Sequence, residues 1–206
     1  MQYIQKELGN LLMKTEEGAK VNKEFNNEID AKTKNYQKKY NFEIGTGNHA
    51  TWNNESDAFK HAFMQAVLYH RACKAVPFFK DQAGNVYSKT LGDYHEITGK
   101  ETVSGENNMD YWNNEVGREV AKYVREKLGK AADKLDDKYV EDIFAEEIMK
   151  RMKNGELITK PSDKRKYQDR QKYNKKSNNS GSQKTAANNG KGHWVTIDGN
   201  HVLIDD

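Results

Sequence analysis

The stretch from Ser56 to about Val76 is apolar in nearly every direction around a helical axis. Phe59, Phe63, Met64, Val67, Leu68, Tyr69 and Cys73 occupy most of its circumference. Such a helix has no wet face wide enough for a surface position, so it must run through the middle of a domain with other elements packed around it. Only a narrow strip bearing Lys60, Arg71 and Lys74 is left for water. That requirement sets the expected fold class: mainly α, a compact helical domain around one central helix.

Proline-free stretches with helical periodicity supply the neighbours. The first covers roughly residues 2 to 38, with a break expected near Gly18 or Asn26, and its opening MQYIQKELGNLLMK puts Ile4, Leu8, Leu11 and Leu12 on one side. The loop IGTGNHATWNN follows. The central helix then starts between Glu55 and Asp57, where Asn54 or Ser56 can cap it. A loop, PFFKDQAGNVYSKTLG, leads to a short helix around Gly92 to Thr98. Met109, Trp112, Val116, Val120 and Val124 mark a helix over about 108–128. Leu135, Tyr139, Ile143, Phe144, Ile148 and Met152 mark another over about 133–153.

Past Pro161 the composition turns to Lys, Ser, Asn, Gln and Gly with almost no apolar residue, and such a segment cannot offset its ordering entropy. The expected division is a helical domain over 1–159, a disordered basic linker over 160–192, and a C-terminal β-hairpin over 193–206. In that last segment, HWVTIDGNHVLIDD, two β-rich runs flank Asp198-Gly199, a favoured two-residue turn. The net charge of +3 conceals a contrast, because residues 160–192 carry ten Lys/Arg against two Asp. That segment alone is +8, which leaves −5 elsewhere, so any nucleic-acid contact is expected from the linker. The lone Cys73 excludes an intrachain disulfide and a multi-Cys zinc site. No apolar run reaches the ~20 residues of a membrane span, and the opening residues lack the order of a signal peptide. A soluble protein is expected.

Polar residues on the central helix break its apolar pattern. Asp57 and His61, one turn apart, point beside Met64 and Leu68 and away from the wet strip. Buried there, each needs partners, since an unpaired buried charge costs several kcal/mol. They form either a satisfied core pair or part of a functional site. His70 lies on the opposite face and reads as structural. GDYHEITG offers Asp93, His95 and Glu96, while NNMDYWNNEVGR offers Asp110, Asn113, Asn114 and Arg118. Asp110, Asn114 and Gly117 form one row along a helix. A mid-helix glycine costs ~1 kcal/mol relative to alanine, which suggests that a backbone or ligand comes close at Gly117. Together these residues can hold a divalent metal ion or form an acid–base set, and spacing does not choose between the two. A metal would use His61, His95 and Asp110.

The three-part pattern NESDAFKHAFMQAV, DYHE and MDYWNNEVGR resembles a helical domain of unassigned activity near the C-termini of bacterial wall-associated and polymorphic-toxin-like proteins. The likeness covers about residues 48–128, with Lys60 where such families carry Arg. It implies Asp57, His61, His95, Glu96, Asp110, Asn114 and Gly117 as site positions. HWVTIDGNHVLIDD separately resembles the terminal segment of phage minor head (head-morphogenesis) proteins. These likenesses imply an effector- or toxin-type hydrolase of phage or mobile-element origin. In it Asp57, His61, His95 and Glu96 would act on a substrate bound by Asp110, Asn113, Asn114, Gly117 and Arg118. Its partner would be a phage head or larger toxin assembly, engaged through residues 193–206. The alternative is a non-enzymatic phage-head structural or interaction protein, in which the polar cluster only specifies packing.

Overall fold

A computed structural model describes residues 15–76, 80–98, 104–170, 193–197 and 200–204. Among them, five long helices carry the fold: α1 (Glu16–Tyr40), α2 (Glu55–Ala75), α3 (Lys80–Thr98), α4 (Ser104–Leu128) and α5 (Asp137–Lys153). The mainly α expectation holds. The strands β1 (His193–Ile197) and β2 (Asn200–Ile204) pair antiparallel, and Asp198-Gly199 between them lies outside the described residues. No helix among the described residues is long and apolar enough to cross a membrane.

The central helix is α2. It packs against each of the other four helices, and Phe59, Ala62, Phe63, Ala66, Tyr69 and Cys73 are fully buried. Asn54 caps it by accepting from the backbone N–H groups of Ser56 and Asp57. The strip expected to face water is covered in part by acids from α1 and α5. Lys60 pairs with Asp30, Arg71 with Glu28 and Glu141, and Lys74 with Asp137. The Arg71 guanidinium holds the Glu28 carboxyl down to about 2. Burial pushes the Cys73 thiol up to about 11, which fits an inert packing residue.

Several boundaries differ from expectation, each for a physical reason. α1 runs unbroken through Asn26, and Gly18 sits in its first turn, where the Thr15 hydroxyl accepts from the Gly18 N–H. The segment expected as a loop before a short helix at Gly92 is helical from Lys80 onward. Its glycines are there for packing. A Cβ at Gly84 would lie 2.8 Å from Cys73 Sγ, and one at Gly92 would lie 1.4 Å from Gln65 Nε2. Close approach to α2 requires these residues, and their poor helix propensity hid the helix. The expected start of α5 near Asp133 is a 3-10 turn, Gly129–Asp133, and Asp136 caps the helix proper.

The basic segment does not leave the body at residue 160. Asn108 Nδ2 donates to the Arg165 carbonyl, and Asn108 Oδ1 accepts from the Tyr167 N–H. Tyr167 stacks on Tyr111, while Arg165 and Arg170 lie over the Trp112 ring. The expected linker start at residue 160 is therefore corrected, since residues 160–170 belong to the helical body; residues 171–192 lie outside the described residues. Composition counted these arginines only as charge, whereas their planar guanidinium groups stack on aromatic faces.

His70 is buried in the core, as the structural reading required. Arg125 Nη1 donates to its Nδ1 at 2.7 Å, Asp137 Oδ1 lies 3.6 Å from Nε2, and the ring meets Phe144 edge-on. Burial, then Arg125, lower its pKa from 6.5 to about 4, with Lys74 also lowering it and Asp137 and Asp133 opposing. Between those values the unfolded chain binds the proton and the folded chain does not. Stability from this residue is thus complete above about pH 6.5 and is lost as pH falls towards 4. Urea denaturation at pH 7 and pH 5 should show a loss of about 2 kcal/mol that His70→Gln largely abolishes. Equal slopes in the two proteins would contradict the assignment.

Candidate functional site

The site is built where α2 and α4 cross. A Cβ at Gly117 would fall 2.1 Å from the Ala62 carbonyl oxygen, so only glycine lets α4 approach this closely. The expectation of a close backbone at Gly117 is met, and the neighbour is α2. That approach brings the row Asp110–Asn114 on α4 against the row Asp57–His61 on α2.

His61 is at the centre. Its Nδ1 lies 3.1 Å from Asn114 Oδ1, and its Nε2 lies 3.3 Å from Asp110 Oδ1 and 3.7 Å from Asp57 Oδ1. An amide oxygen can only accept, so Asn114 fixes a proton on Nδ1 and turns Nε2 towards the two carboxylates. The three side chains are 14–17% exposed, so the cluster lies just beneath the surface, within reach of solvent. One donor atom from each of Asp57, His61 and Asp110 falls within 4.8 Å of the others.

Supporting contacts hold this geometry. Asp57 Oδ2 accepts from the Asn53 N–H at 2.8 Å, and Asn53 Nδ2 donates to Glu106 Oε1 at 2.8 Å. Asn53 has a φ of 55°, a left-handed conformation that asparagine tolerates better than most residues. Asp57 also lies in the first turn of α2, where the helix dipole favours a carboxylate. Asn114 is fully buried, and its Nδ2 has no hydrogen-bond acceptor among the described residues.

A lone pair on Nε2 facing two carboxylate oxygens is electrostatically unfavourable. A cation shared by the three groups would turn that arrangement into a favourable one. One imidazole and two carboxylates suit Zn²⁺, Mn²⁺ or Mg²⁺, and three protein ligands leave positions for water. The hydrogen bonds to Asp57 and His61 are of the kind that orient metal ligands from the second shell.

Other expected site residues have different places. Asn113 is a correction. Its Nδ2 donates to the Ile158 carbonyl and its Oδ1 accepts from the Ile158 N–H, so it clasps the segment after α5 and has no amide group left for substrate. Arg118 is buried and donates to Gln65 Oε1 and to Glu115. His95 and Glu96 fall near the end of α3, and their side chains lie outside the described residues. Sequence reasoning missed Asn53 and Glu106. The only local signal was Asn-Asn just ahead of a helix start.

The model of the family described as a domain of unknown function (DUF6973) matches residues 13–156, which include all five helices and the whole of this cluster. The chain belongs to the DUF6973 family. No curated protein and no solved structure matches it. Within this DUF6973 domain, both helices that carry Asp57, His61 and Asp110 lie inside the matched region.

Proposed function

We propose that this DUF6973 domain is a divalent-cation-dependent hydrolase whose ion is held by Asp57, His61 and Asp110. The observation that carries the reading is the convergence of His61 Nε2 and two carboxylates, with Nδ1 already fixed by Asn114. A cation bound there supplies Lewis acidity and lowers the pKa of a bound water. Asn114 holds the imidazole in the ligand tautomer, and the Asn53 N–H holds Asp57 with Oδ1 towards the ion. The buried Asn114 Nδ2 is a donor available to an acceptor in the site, such as a water or substrate oxygen. In line with the resemblance to polymorphic-toxin-like domains, we read the hydrolase as an effector of phage or mobile-element origin. Residues 193–206 are then its docking tag.

A second reading rests on the 3.3 Å separation of His61 Nε2 and Asp110 Oδ1. There His61 is an imidazolium that ties α2 to α4, and the domain is an interaction module. Turnover of activated phosphodiester and carboxylic-ester substrates, with and without Mn²⁺ or Zn²⁺, separates the two. The enzyme reading expects ion-dependent turnover that Asp57→Asn and Asp110→Asn remove while the melting curve stays near that of the parent. Absence of turnover together with absence of ion binding would overturn it.

Asn114→Ala removes the acceptor without adding bulk at this fully buried position. It should weaken cation affinity by about 10–100-fold, as loss of an orienting hydrogen bond does at other metal sites. Calorimetric titration checks this, and unchanged affinity would show that Asn114 does not position His61.

A further inference from the structure

The loop between α1 and α2 holds a tryptophan in water beside the candidate site. Trp52 is 60% exposed, and the His49 ring lies 4.3 Å from its ring, tilted by 56°. The loop is not slack. The Gly45 N–H donates to the Ala50 carbonyl, the Trp52 N–H to the His49 carbonyl, and the Ser56 N–H to the Glu43 carbonyl. Asn54 Nδ2 also donates to the Ala50 carbonyl. An indole gains most from burial, so its exposure on a fixed backbone forgoes that stabilisation and suits contact with a ligand. Trp52 adjoins the residue that ties the loop to the site. Asn53 donates its N–H to Asp57 Oδ2 and its Nδ2 to Glu106 Oε1.

The charge around this ring selects the ligand. Glu106 accepts from Asn53 Nδ2 and Glu55 accepts from the Glu43 N–H, and among the described residues neither pairs with a cation. A divalent ion at the site offsets Asp57 and Asp110 and leaves these two uncompensated. Polyanionic ligands such as nucleic acid are therefore repelled, whereas an organic cation is attracted by the carboxylates and by the negative face of the indole. Lysine and arginine side chains join such a charge to an apolar stem that packs along an aromatic ring. A peptide also brings carbonyl oxygens, the kind of acceptor that the fully buried Asn114 Nδ2 lacks. We propose that Trp52, with Glu55 and Glu106 beside it, is a subsite for a lysine or arginine side chain of a peptide substrate. This names the substrate class of the hydrolase proposed above, and rests on that reading for the cleavage though not for the binding.

Nuclear magnetic resonance of the full chain without added metal tests the binding. It is read at the Trp52 indole N–H, whose signal is assigned by its loss in Trp52→Phe. The probe is Nα-acetyl-lysine methylamide, beside its uncharged norleucine analogue, adenosine monophosphate and N-acetylglucosamine. The lysine probe should shift the signal saturably and bind at least about fivefold tighter than the norleucine analogue, as cation–π attraction at an exposed ring implies. Glu106→Gln, which keeps an acceptor for Asn53, should weaken that binding. Equal binding of the two amino-acid probes, or no saturable shift with either, would overturn the inference. A larger response to the nucleotide or the sugar would overturn it in favour of that class. Calorimetric titration of Mn²⁺ keeps the two readings apart, since Trp52→Ala should bind the ion as the parent does. Saturable lysine binding by a chain that binds no ion would refute the hydrolase and leave a peptide-binding subsite.

Discussion

Gly117→Ala should lower the thermal midpoint by roughly 5–10 °C, corresponding to about 2 kcal/mol or more for a chain of this size. Alanine is the better helix former, by ~1 kcal/mol, so propensity alone predicts stabilisation. The opposite sign follows from the 2.1 Å between an added Cβ and the Ala62 carbonyl oxygen. That atom is backbone in the middle of a central helix and cannot turn aside, so α4 must shift away from α2 and the core on both sides of the crossing is disturbed. The shift also draws Asn114 away from His61, one residue before Ala62, so cation affinity should fall with stability. A midpoint equal to or above the parent's would mean that the crossing is looser than described.

His61→Ala should cost at least about 100-fold in affinity for Mn²⁺ or Zn²⁺, since removing a ligand exceeds the 10–100-fold loss from removing its orienting partner. Its effect on folding should be small by comparison. The ring is 14% exposed, and Asp57 and Asp110 keep contact with solvent after its removal. If His61 is only an imidazolium clamp between α2 and α4, the order reverses. The variant then loses stability, most of all at pH values where the imidazole is charged, and ion binding is weak in both proteins. The two proteins measured side by side thus separate a ligand from a clamp.

Much of the site was legible because helix geometry is local. Asp57 and His61 share a face by spacing, as do Asp110, Asn114 and Gly117, and a glycine in mid-helix already signalled a close neighbour. The identity of that neighbour was not legible, since nothing in the sequence pairs Gly117 with Ala62. Asn113 and Asn114 show the limit most clearly. They are adjacent and both fully buried, yet about 100° apart around α4. One therefore meets the Ile158 backbone and the other meets His61, and only the packing of α4 decides which. α3 was illegible for a related reason. Gly84 and Gly92 read as loop residues, and their purpose appears only against Cys73, Tyr69 and Gln65 of α2. Charge counting likewise concealed the attachment of residues 160–170, because Arg165 and Arg170 act there through Trp112 and through hydrogen bonds to Gly155, Leu157 and Glu119.

The central claim is that Asp57, His61 and Asp110 hold a divalent cation. Titration calorimetry of Mn²⁺ or Zn²⁺ into the chelator-treated full chain, beside His61→Ala, tests it most directly. The account predicts about one ion bound per chain with micromolar or tighter affinity, absent in the variant. No saturable binding by the parent chain, or binding that His61→Ala leaves intact, would contradict it.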